Sequence, residues 1–181
     1  MQSKPLSIDG PVLIYPKILT DERGFFMESF KSDWFREHVA DVTFVQDNHS
    51  LSRDIGTIRG LHYQTEPHAQ CKLVRCLKGA IFDVVVDIRP QSPTFRQWVG
   101  ETLTAEKGEQ LWVPTGFAHG FCTLEPDTEV FYKVTDIYSP AHDAGIAFDD
   151  PEIGIDWPVN MKKVVLSDKD KKQPKLASLR T

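Results

Sequence analysis

The chain reads as a mainly β protein, a sandwich or barrel of short strands with a few short helices. Three observations predict this. β-Rich runs recur at short intervals over residues 73–77, 80–88, 98–103, 110–113, 120–124 and 128–137, separated by glycine, proline or charged breaks. No strand–helix–strand alternation appears, and neither a GxGxxG nor a Walker loop is present. A single stretch carries a good helical signal, with Ser32 or Asp33 as the cap and Trp34, Phe35 and His38 behind it. With 181 residues, no internal repeat and no linker, one domain over residues 1–181 is expected.

Taken in order, Val12–Tyr15 is an apolar run closed by Pro16, a first strand. Residues 21–24 form a polar turn, and residues 25–30 are expected to be a second strand. The helix follows, then the apolar 42–45 and the polar group Gln46-Asp47-Asn48-His49. Between Gly56 and Gly79 the sequence GTIRGLHYQTEPHAQCKLVRCLKG holds a histidine inside a strand-like run. Lys78-Gly79 reads as a tight turn between two strands. The tail over 168–175 is charge-rich, a loop or weak helix.

Composition narrows the function. A net charge of −5 offers no basic surface for nucleic acid, although a few local basic residues suffice for a small phosphate ligand. Cys71, Cys76 and Cys122 are odd in number and lack CxxC spacing, which suits buried free thiols in a reducing compartment better than a disulfide framework or a zinc ribbon. The N-terminus has no signal-peptide core, and no apolar run approaches the roughly 20 residues of a membrane span. A cytoplasmic protein is expected, with no nucleic-acid or membrane partner.

Two spaced motifs carry the chemistry. Residues 108–119 read G-x5-P-x-G-x2-H and end on His119, and Gly56-x5-His62 with Gly79 frames a second motif. Together they resemble the two motifs of the cupin family, which implies a cupin-type jelly roll. The departures matter more than the matches. Gln64 stands where a second histidine ligand belongs, Lys72 where a glutamate belongs, and Thr123 where an asparagine usually closes the motif. A protonated lysine has no lone pair and repels a divalent ion, so a metal-free pocket is expected in which Lys72 supplies the positive charge. No cofactor is expected.

A closer resemblance covers nearly the whole chain. The segments DERGFFMESF, FVQDNHS, IRGLHYQ, KLVRCLKGAIFDVVVDIR, PTGFAHGF, DIYSPAHDAGI and SDKD resemble the dTDP-4-dehydrorhamnose 3,5-epimerase family. The resemblance implies a homodimer acting without metal on a dTDP-4-keto-6-deoxy sugar, with inversion at C3 and C5 beside the C4 ketone. His62 is then the base and Lys72 the holder of the enolate oxygen. Tyr132 is the acid; it shares one strand face with Val130 and Val134, and Tyr138 falls on the same parity. Asp170 matches the family position of the partner that holds His62, with Asp83 as the alternative. Arg23, Glu28, Gln46, Asp47, Asn48, Arg59, His119, Asp143 and Lys169 fall at substrate-contact positions. Arg59 and Lys169 suit a pyrophosphate, and Phe25 and Phe26 suit stacking near a thymine. Asp143 lies where many relatives carry Glu. Alternatives are an epimerase acting at C3 only, a metal-dependent cupin, and a non-catalytic nucleotide-sugar binding module.

Overall fold

The structure, a computed structural model, describes residues 1–179. In chain order the strands are β1 (Gln2–Pro5), β2 (Val12–Tyr15), β3 (Ile18–Asp21) and β4 (Gly24–Met27), followed by helix α1 (Ser32–His38). Then come β5 (Gln46–Ser52), β6 (Ile58–Gln64), β7 (Lys72–Lys78), β8 (Ala80–Asp87) and β9 (Trp98–Thr104). The last are β10 (Gln110–Val113), β11 (Phe117–Thr123), β12 (Thr128–Val134) and β13 (Asp143–Gly145), and short 3-10 turns follow at Met161–Lys163, Asp170–Lys172 and Leu176–Leu179. One sheet has the order β1-β2-β10-β7-β12-β5, a second β13-β6-β11-β8-β9, and β3 and β4 form a separate hairpin. The neighbours pair antiparallel, and the expected jelly-roll sandwich is what the chain forms. No helix among the described residues is long and apolar enough to cross a membrane.

Apolar side chains fall into three layers, which explains why several strands are apolar on both faces. Between the sheets lie Leu13, Val74, Ile81, Val85, Leu111 and Val130, all nearly inaccessible. Behind the five-stranded sheet, Val84, Val86, Ala118 and Cys122 meet Ile153, Trp157 and Leu176 of the C-terminal segment. Behind the six-stranded sheet, Ile14, Leu73 and Trp112 are covered by Phe35 of α1, whose ring sits 5.2 Å from that of Trp112. This packing, rather than a cap, holds the helix: neither Ser32 nor Asp33 caps it, and Lys31 occupies the cap position without a side-chain hydrogen bond.

β1, β3 and β13 carry no strand signal in the sequence, and three further elements differ from its reading. Residues 25–30 divide, because β4 ends at Met27 and the chain turns under α1. Strand β5 starts inside the polar Gln46–His49 group: its even positions face the sandwich interior and its odd positions face outward, polar on both sides, so no apolar alternation marks it. Lys78-Gly79 is a corner rather than a hairpin turn. Strand β7 belongs to one sheet and β8 to the other, and Gly79 (φ +77°) makes the change where a Cβ would lie 2.5 Å from the Thr128 hydroxyl.

One irregularity positions the site. His119 of β11 pairs with His62 of β6, but Phe121 pairs with Arg59, so β6 carries one extra residue across that interval. The bulge falls at Gly60, with φ +133°. It switches the strand's parity, so that Arg59 and His62, three apart, both line the interior cavity.

A Cβ at Gly60 would lie 2.5 Å from the Gly120 Cα and 2.8 Å from the His119 carbonyl oxygen, both backbone atoms. Gly60→Ala is therefore expected to lower stability by about 2–4 kcal/mol through backbone strain and overpacking. Chemical denaturation checks it; an unchanged midpoint would show that the bulge has slack.

Candidate active site

The residues that the motifs singled out converge between the sheets. A cavity of about 450 Å³ is walled by His62, Lys72, His119, Tyr132, Arg59 and Asp170. A second arm of about 200 Å³ opens from the same centre, since His62, Lys72 and Tyr132 line both. Gln46, Asn48, Gln64, Tyr138, Asp143 and Lys169 line that arm.

His62 Nε2 lies 2.5 Å from Asp170 Oδ1. The carboxylate can only accept, so Nε2–H donates and Nδ1 keeps the lone pair. Asp170 comes 108 residues later, yet it is 4 % exposed rather than solvated, because the C-terminal segment packs back over the five-stranded sheet. Burial works against its ionisation, but hydrogen bonds from His62 and from the Ser167 hydroxyl (2.8 Å) outweigh this and hold the carboxyl below its usual range. Ser167 was missed in the sequence. Its signal was the Ser-x-x-Asp spacing, in which the Asp170 N–H also donates to the Ser167 oxygen at 3.0 Å.

Lys72 is buried, with its side chain on the interior face of β7, and it donates to the His62 carbonyl at 3.2 Å. Burial pulls its pKa down to about 8, while Asp83 and Asp143 pull it back up. At neutral pH the ammonium is still charged. Tyr132 projects between Val130 and Val134, as its parity requires; burial raises its phenol, opposed by Arg59 and Lys169. Arg59 is braced by Ser52 Oγ and the Leu51 carbonyl, both at 3.1 Å.

Asp83 does not partner His62. It faces His119 instead, with His119 Nε2 2.6 Å from Asp83 Oδ1, both buried. The reason is strand order: β8 neighbours β11, not β6. Burial lowers the pKa of His119 and Asp83 opposes the shift.

Not every expected contact residue reaches the cavity. Asp47 points outward from β5 and pairs with Lys133 at 2.9 Å. Arg23 sits at the tip of the β3–β4 hairpin, paired with Asp21 at 2.6 Å. Glu28, Phe25 and Phe26 are exposed on or beside that hairpin and are absent from the cavity walls of this chain. Arg59 and Lys169 lie in different arms, and Lys169 is ion-paired with Asp143.

The donor set does not fit a metal. Lys72 is a cation in the carboxylate position, the Gln64 amide is spent on backbone groups, and His119 Nε2 is engaged by Asp83. Among the described residues no three His, Cys, Asp or Glu side chains form a ligand cluster.

The family model described as dTDP-4-dehydrorhamnose 3,5-epimerase matches residues 5–178. The chain is 57% identical over 179 residues to the dTDP-4-dehydrorhamnose 3,5-epimerase of Sinorhizobium fredii, covering 99% of this chain and 91% of that protein. It superimposes on the crystal structure of the Bacillus anthracis enzyme of the same name, with TDP and PPi bound, at a TM-score of 0.93 and 47% identity, covering 96% of this chain and 98% of that one. The dTDP-6-deoxy-D-glucose-3,5-epimerase of Legionella pneumophila, in complex with dTDP-4-keto-L-rhamnose, also gives 0.93, at 46% identity, covering 97% and 93%.

Lys72 carries a stability cost whose sign follows from its pKa. The folded value of about 8 lies below the ordinary 10.5, so the cost, about 3 kcal/mol, is fully present below pH 8 and is released between 8 and 10.5. Lys72→Met is expected to raise the Tm at pH 7, with the gain shrinking above pH 10. Calorimetry at both pH values checks it, and a fall in Tm at pH 7 would contradict the assignment.

Proposed function

The chain belongs to the dTDP-4-dehydrorhamnose 3,5-epimerase family, and on that premise we propose how its residues divide the work. The reaction inverts C3 and C5 of dTDP-4-dehydro-6-deoxy-D-glucose to give dTDP-4-dehydro-L-rhamnose, in dTDP-L-rhamnose biosynthesis. The C4 ketone acidifies the protons on both neighbouring carbons, so one set of groups serves two inversions through enolates. His62 takes the proton on Nδ1 while Asp170 holds Nε2 and stabilises the imidazolium that forms. Lys72, charged and poorly hydrated, holds the developing C4 oxyanion. Tyr132 returns a proton to the opposite face. The observation that carries this reading is the meeting of the His62–Asp170 pair, a buried ammonium and a half-buried phenol in one cavity.

His119, held from behind by Asp83, and Arg59 line the larger arm as substrate contacts, and Gln46, Asn48, Tyr138, Asp143 and Lys169 line the smaller one. We place the enzyme in the cytoplasm as a homodimer without a cofactor. The dimer answers a question that one chain leaves open. Phe25 and Phe26 are 64% and 66% exposed beside Arg23 and Glu28, two aromatic rings with no cover from their own chain. In this reading the hairpin reaches the neighbouring subunit's cavity and supplies those contacts there.

Turnover in deuterated water is expected to place solvent deuterium at both C3 and C5, and His62→Ala to abolish exchange at both. Tyr132→Phe should lose most epimerisation, on the order of 10²–10⁴-fold as for a general acid, yet retain exchange because the base remains. Label at one carbon only would contradict double epimerisation, and label confined to C3 would identify a C3 epimerase. Subunit mixing tests the hairpin: His62→Ala and Arg23→Ala, each nearly inactive alone, should regain activity when denatured and refolded together. Absence of complementation would return Arg23 to its own chain.

A further inference from the structure

Gln64 occupies the position of a lost metal ligand, yet its amide is fully employed. It is 7% exposed and lines the smaller arm of the cavity. Its nitrogen donates to the carbonyls of His68 (2.6 Å) and Ile137 (3.2 Å), and its oxygen accepts from the Ser139 N–H at 2.7 Å. Only this amide orientation satisfies all three, since the reverse would face two carbonyls with an oxygen. Gln46 does the same one residue earlier: its oxygen accepts from the Tyr138 N–H at 3.0 Å, while its nitrogen donates to Asn48 Oδ1 at 2.9 Å.

These bonds fall where the backbone has no ladder to join. The chain leaves the six-stranded sheet at Val134 and enters the five-stranded sheet at Asp143, so residues 135–142 cross the open end of the sandwich. N–H groups on such a crossing have no ladder partner, and side chains supply one here even though Tyr138 is 52% exposed. Two consecutive ones, on Tyr138 and Ser139, are held by glutamines from opposite sheets, Gln46 on β5 and Gln64 on β6. Gln64 also pairs in register with Asp143 across β6 and β13, and Asp143 accepts the Tyr138 hydroxyl at 3.1 Å. Both ends of the Tyr138–Asp143 contact are thus set from Gln64, one through its side chain and one through its backbone.

We propose that Gln64 and Gln46 are positioning residues that act through Tyr138, fixing the smaller arm in its binding shape. The inference rests on the epimerase reading only in taking that arm as part of the substrate site. The barrel corner that binds an ion in a metal cupin has become a clamp on the crossing loop.

A double-mutant cycle on steady-state epimerisation tests this. Gln64→Leu is expected to raise KM about tenfold, the scale of one or two lost neutral hydrogen bonds, with kcat within about threefold. Tyr138→Ala should act similarly, and the double variant no worse than either alone, because both remove the same placed ring. Gln46→Leu should be partly non-additive with Tyr138→Ala, since Gln46 also lines the arm directly. If Gln64→Leu does not fold by circular dichroism, Gln64→Glu carries the readout: it keeps the acceptor for Ser139 but turns a carboxylate on two carbonyls, so KM should again rise. Effects that multiply, or an unchanged KM in a folded variant, would overturn the proposal while leaving the reaction intact. A wild-type protein without epimerase activity would overturn both readings.

Discussion

A lysine ammonium held inside a β sandwich is the constraint around which this molecule is built. Lys72 is 9% exposed, and burial of its charge opposes folding. The surroundings offset part of that cost. Asp83 and Asp143 approach from two strands of the facing sheet, and the His62 carbonyl accepts a hydrogen bond from Nζ. The residual lowering to about 8 leaves a group that is charged near neutral pH but poorly solvated, which is what an oxyanion needs from its partner. Stability is given up at the place where chemistry gains.

The rest of the site solves a problem of reach. In the proposed role of base, His62 on β6 needs an anion behind it, and the neighbouring strand β11 offers only His119 at that level. The anion comes instead from a 3-10 turn after residue 169, carried there because Ile153, Trp157 and Leu176 bury themselves on the back of the five-stranded sheet. The hydrophobic layer therefore delivers Asp170 as well as covering the sheet. Ser167 then fixes the carboxylate from its far oxygen. Two His–Asp pairs result, side by side, and their different exposure separates them: His62 is open to both arms, whereas His119 shows only its edge to the larger arm, and burial lowers its pKa.

Much of this was legible from residue types. The two spaced motifs pointed to the jelly roll that the chain forms. The alternation Val130-x-Tyr132-x-Val134 placed the phenol inside, since strand parity is a local property. Other elements were illegible for physical reasons. Strand β5 is largely polar on both faces, one lining the cavity and one facing solvent, so no periodicity marks it. The Lys78-Gly79 turn looked like a hairpin because a corner between sheets uses the same left-handed glycine.

By itself, the sequence determined the groups on offer: an imidazole, a cation, a phenol, and strands whose spacing and parity turn them toward one interior. Tertiary structure alone decided the partners. It assigned Asp83 to His119 rather than His62, because β8 lies beside β11; it turned Asp47 outward onto Lys133; and it brought Arg59 and His62 to one cavity through a bulge at Gly60. Such choices depend on which strands adjoin and where a register slips. These are long-range properties of sheet packing, and no local run of residues encodes them.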